Sequence, residues 1–74
     1  MELLENLKRR TLVMKPKCKL IGEDGNIFNL MVIASRTLRE ADMHKEADEM
    51  IDRITKSKSY DEALAIIMEY VEVE

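Results

Sequence analysis

The sequence predicts a small α+β domain, mostly helical: three main helices and a short N-terminal helix, with a two-stranded sheet pairing residues 17–21 with 71–74. Three observations predict it. Apolar residues recur with helical spacing in three blocks after residue 26. The period falls to two between Met14 and Leu20 and again over the last five residues. Short polar clusters containing Gly, Asn, Asp or Ser separate these blocks. The 74 residues are read as one domain, 1–74, with residues 1–14 an appended helix or arm and 15–74 the core. A chain this short buries roughly 60% of the surface it exposes when unfolded, so each apolar residue matters to the balance.

Glu2 to Arg10 places Leu3, Leu4 and Leu7 on one helical face, with acids at the start and bases at the end to suit the helix dipole, and Glu5 four residues before Arg9. About nine residues are too few for a stable isolated helix, so this one must dock. Next, Met14, Pro16, Cys18 and Leu20 alternate with Lys15, Lys17 and Lys19, the pattern of a half-buried strand. Pro16 has no N–H for a ladder and assigns at least its start to an edge. Gly22-Glu23-Asp24-Gly25-Asn26 reads as a turn in which Gly25 supplies a positive φ and Asn26 caps the following helix.

From Ile27 to about Ala41 the stripe Ile27, Leu30, Met31, Ala34, Leu38 and Ala41 is widened by Phe28, Val32 and Ile33, which predicts the central, most buried helix. Asp42 reads as the N-cap of a second helix, about Met43 to Lys56, with Ala47, Met50, Ile51 and Ile54 inward. After the loop Lys56-Ser57-Lys58, Ser59 and Glu62 have capping-box spacing. The third helix runs to about Tyr70 with Tyr60, Ala63, Leu64, Ile67 and Val71 on one face. In the final Tyr70-Val71-Glu72-Val73-Glu74, valines alternate with glutamates, which would oppose the lysines of the first strand. Strand direction is open at this stage; a parallel pair follows if the three helices alternate up and down.

Hydrophobic residues at 46% and charged residues at 36% exclude a disordered tail, and no apolar run approaches the ~20 residues of a membrane span. Met1 begins no signal-peptide pattern, and Cys18 is the single cysteine, which together point to a reducing cytoplasm. The net charge of −3 is unevenly spread. Residues 1–22 hold Lys8, Arg9, Arg10, Lys15, Lys17 and Lys19 against Glu2 and Glu5, whereas residues 23–74 hold six bases against thirteen acids. The two parts are expected to attract each other, and the basic end is the candidate for any contact with nucleic acid.

Catalytic, metal and cofactor sites are not expected. Two glycines cannot form a phosphate-cradling loop, and one cysteine cannot form a multi-cysteine zinc site. His44 falls in the first turn of the second helix and reads as a solvated side chain; Cys18 points into the core, away from a thiol–imidazole pair with it. Glu23-Asp24-Gly25-Asn26 has oxygen ligands about a glycine but lacks the acid pattern of a calcium loop, with Val32 roughly where the closing glutamate belongs. Helices meeting near Ala41–Met43 suggest a helix-turn-helix, but residues 44–56 carry a net charge of −1, from three bases and four acids, which repels phosphate. The basic end also lacks any aromatic residue for stacking on bases. Of the six methionines, Met31, Met50 and Met68 fit core positions, and Met14 and Met43 are free for surface contacts.

From about Lys17 onward, Leu20-Ile21-Gly22-Glu23-Asp24-Gly25-Asn26 with Phe28, Arg36-Thr37-Leu38-Arg39 with Ala41, Ser59-Tyr60-Asp61, and Met68-Glu69-Tyr70-Val71-Glu72-Val73 resemble short uncharacterised proteins of phages and mobile elements of Gram-positive bacteria. The resemblance covers about three quarters of the chain and implies a mobile-element setting but no activity. The function expected is a non-enzymatic interaction or accessory protein, a homodimer with a further protein partner unspecified, cytoplasmic and off the membrane. Its contact residues are expected to be Leu3, Leu4, Leu7, Lys8, Arg9 and Arg10. A nucleic-acid-associated protein using the basic N-terminal segment is the less favoured alternative.

Overall fold

A computed structural model describes residues 15–74, in the order β1 (Lys17–Cys18), α1 (Ile27–Glu40), α2 (His44–Thr55), α3 (Tyr60–Tyr70) and β2 (Glu72–Val73). The expected α+β architecture is present: three helices and a two-stranded sheet. The N-terminal helix expected over Glu2–Arg10 lies outside the described residues.

The strands pair in parallel, Lys17 beside Glu72 and Cys18 beside Val73. Regular pairing is shorter than the segments 17–21 and 71–74, but backbone bonds prolong the contact at both ends. Glu72 N–H donates to Pro16 O at 2.8 Å, Glu74 N–H to Cys18 O at 2.9 Å, and the N–H groups of Leu20 and Ile21 both donate to Glu74 O, at 2.8 and 3.0 Å. Pro16 thus enters the ladder as an acceptor, the one role its ring leaves open. Lys17 and Glu72 are both exposed and adjacent across the ladder, as the charge pattern predicts.

The core runs from Cys18 and Leu20 through Leu30, Ala34 and Leu38 of α1, Ala47, Met50 and Ile54 of α2, and Ala63, Ile66 and Ile67 of α3, to Val71. Each helix contributes positions three or four apart, one stripe per helix. Cys18 is 1% exposed and packs as a small hydrophobe, with the Thr37 hydroxyl 3.4 Å from its sulfur.

Several details differ from the sequence reading. In the turn, Gly22 takes the positive φ (94°) and Gly25 does not. Asn26 caps α1 as expected, its side-chain oxygen accepting from Phe28 N–H at 2.8 Å. Asp42 is not an N-cap: it adopts φ 63° just beyond α1. There Asp42 N–H donates to Arg39 O at 3.0 Å and Met43 N–H to Leu38 O at 2.8 Å, the paired bonds of a Schellman ending. The N-cap of α2 is Met43, without a side-chain bond. Met43 packs against the core while Met68 is 53% exposed, the reverse of the expected roles. Ser59 caps α3 through Glu62 N–H at 3.1 Å, but the Glu62 carboxylate accepts from Lys58 N–H rather than closing the box on Ser59. The inner face of α3 is rotated toward Ile66, leaving Tyr60 47% exposed; on α1, Phe28 is 64% and Val32 49% exposed, and Ala41 is exposed too.

Candidate functional site

Two groups of side chains stand out among the described residues. The first joins α2 to α3. Arg53 grips Glu69 with both terminal nitrogens, at 2.7 and 3.2 Å, and also donates to the Tyr70 hydroxyl at 3.2 Å. That hydroxyl in turn donates to Glu49 at 2.9 Å, and the guanidinium carbon lies 5.7 Å from the centre of the Tyr70 ring. The bonds to Glu69 and then Tyr70 raise the Arg53 pKa further above its usual value. Burial raises that of Tyr70, the bond to Arg53 opposing and the bond to Glu49 adding to the shift. Perturbed groups often mark function. Here the perturbed groups are bonded to one another across α2 and α3, so the cluster is a brace between helices. The spacing of Glu49 and Arg53, four apart on one helix, was its only trace in the sequence.

The second group forms a groove where the start of α1, the end of α2 and the start of α3 meet. Its volume is about 490 Å³. Ile27, Ile54 and Ala63 make its floor, Phe28 and Tyr60 its walls, and Thr55, Ser57 and Ser59 its polar edge. The chain has one Phe and two Tyr, so two of its three aromatic side chains flank this groove. Tyr60 is held in place: its hydroxyl donates to Gly25 O at 2.7 Å, tying the first turn of α3 to the turn before α1. The turn that positions Phe28 is closed by side chains, with Asp24 accepting from Asn26 N–H and Asn29 donating to Asp24 O, both at 3.0 Å. The groove is assembled from two stretches far apart in sequence, residues 27–28 and 54–63, and no local pattern announces it.

The residues singled out in the sequence fall as follows. Leu3, Leu4, Leu7, Lys8, Arg9 and Arg10 lie outside the described residues. Lys17 and Lys19 are exposed, and Lys15 Nζ donates to Met68 O at 2.9 Å, bonding a carbonyl in the last turn of α3. His44 is exposed, with Nε2 3.4 Å from Asp42 Oδ1, while Cys18 is in the core, so the two form no dyad. The carboxylate of Asp24 is engaged in its own turn. On α2, Asp48 pairs with Arg39 at 2.8 Å and Asp52 with Lys56 at 3.1 Å. Among the described residues, no group of three or more His, Cys, Asp or Glu side chains is placed to hold a metal ion. None of their helices is long and apolar enough to cross a membrane. The chain matches no family model, no curated protein and no solved structure.

Proposed function

We propose that this chain is a non-enzymatic interaction module that associates with itself through its N-terminal segment, in the setting of a phage or mobile element that its resemblance implies. The observation that carries the reading is the number of large apolar side chains left in water. Ile21, Phe28, Val32, Tyr60 and Met68 are each 47–71% exposed. Phe28 and Tyr60 flank one groove, and apolar surface gathered in one place is what association covers. The N-terminal strip of Leu3, Leu4 and Leu7 adds to it, and Lys8, Arg9 and Arg10 supply charge opposite to that of the acidic body. A twofold dimer is the simplest closed assembly that satisfies both.

Sedimentation velocity tests this. The full chain is expected to move as a dimer at high micromolar concentration, and the Leu4→Asp/Leu7→Asp chain as a monomer with unchanged helix content. A full chain that stays monomeric contradicts the proposal. Retention on heparin at physiological salt, with elution shifted by loss of Lys8, Arg9 and Arg10, would instead favour a nucleic-acid partner.

A further inference from the structure

We infer that the groove between Phe28 and Tyr60 receives the Leu3, Leu4 and Leu7 face of the N-terminal segment of a second copy of this chain. The inference rests on the self-association proposed above and assigns it a seat.

The groove is built as a receptor for an apolar helix face. Its floor of Ile27, Ile54 and Ala63 is wholly aliphatic, and its walls are aromatic. Exposed aromatic side chains in a concavity are the usual anchors of protein contacts. The wall is also fixed beforehand, because the bond from Tyr60 to Gly25 O holds the ring without an occupant, and binding then orders fewer side chains. Three leucines within five residues, on one helical face, are the matching set of anchors for a groove.

Charge agrees with the fit. Glu23 and Asp24 precede α1, Asp61 and Glu62 follow Tyr60, all four are exposed, and the bond from Tyr60 to Gly25 O brings the two segments together. Lys56 and Lys58 lie in the adjacent loop, but Lys56 is already paired with Asp52. Lys8, Arg9 and Arg10, directly after the leucines, would meet this acidic rim.

The second copy is the occupant that the self-association proposed above requires, and exchange of N-terminal segments between two copies fills both grooves by symmetry.

The test uses the full chain. A nitroxide placed on Glu2→Cys, in chains of natural isotope content mixed with unmodified ¹⁵N-labelled chains, should broaden the amides of Phe28, Tyr60 and Ala63 in the labelled copy. Phe28→Asp should weaken the dimer by at least about tenfold, while Val32→Asp, also exposed but outside the groove, should change it less than about threefold. A dimer indifferent to Phe28→Asp, or broadening confined to other amides, overturns the groove and leaves self-association standing. A monomeric full chain overturns the self-association itself.

Discussion

Asp42 stands just past α1 in the left-handed region, where a side chain costs about 1–2 kcal/mol and glycine costs little. Replacing it with glycine removes that strain but adds about 0.4–1 kcal/mol of unfolded-chain entropy. Asp42→Gly is therefore expected to stabilise by about 0.5–1 kcal/mol and Asp42→Val to destabilise by a similar amount or more. Opposite shifts in denaturant midpoint are the readout, and a stabilising Asp42→Val would refute the ending described. The methionines make a second contrast. Met50 is 0% exposed and Met68 53%. Met50→Ala should cost about 2–4 kcal/mol and Met68→Ala less than about 0.5 kcal/mol. Equal losses would place Met68 in the core after all. Tyr70 gives a pH dependence. Its folded pKa is raised by burial, so its contribution is complete below the unfolded value of about 10 and is lost as pH rises beyond it. Between the two pKa values the unfolded chain binds fewer protons than the folded one, which makes the slope negative. Tyr70→Phe should flatten this alkaline loss of stability; an unchanged slope would mean that Tyr70 takes no part in it.

At the scale of elements, β2 closes the fold. Val71 is 1% exposed, and Glu74 O accepts from both Leu20 and Ile21, so the last four residues hold the start of the core in place. Removing residues 71–74 should lower stability by about 2–4 kcal/mol, the scale of Val71 and Val73 leaving apolar surroundings with their ladder. An unchanged denaturant midpoint would show that the strand is dispensable. The helices and both strands were legible in the sequence because period is a local property: Ala47, Met50 and Ile54 announce their face without knowledge of what they pack on. What was not legible depends on the partner element. Asp42 is equally suited to an N-cap and to a left-handed helix ending, and the choice falls to the loop geometry between α1 and α2. Phe28 and Val32 follow the apolar pattern of α1, but a core one layer thick covers only the Leu30, Ala34 and Leu38 side. Tyr60 was placed inward for the same reason, and the groove it walls needs α1, α2 and α3 in position before it exists.

For the whole molecule, the described residues form a core with no polar or charged residue buried in it, and the exposed apolar side chains lie outside that core. The charges are segregated as well, with a basic N-terminal segment on an acidic body. Under the proposed self-association, folding and association should therefore be separable: the stripes of α1, α2 and α3 carry folding, and association is assigned to the leucine strip. If association stabilises the folded chain, stability must depend on its concentration by mass action. The most direct measurement is the denaturant midpoint of the full chain over a hundredfold range of concentration, beside that of the Leu4→Asp/Leu7→Asp chain. The account predicts a midpoint that climbs with concentration for the full chain and stays level for the variant. A full-chain midpoint that does not move, or a variant that fails to fold at any concentration, would contradict it.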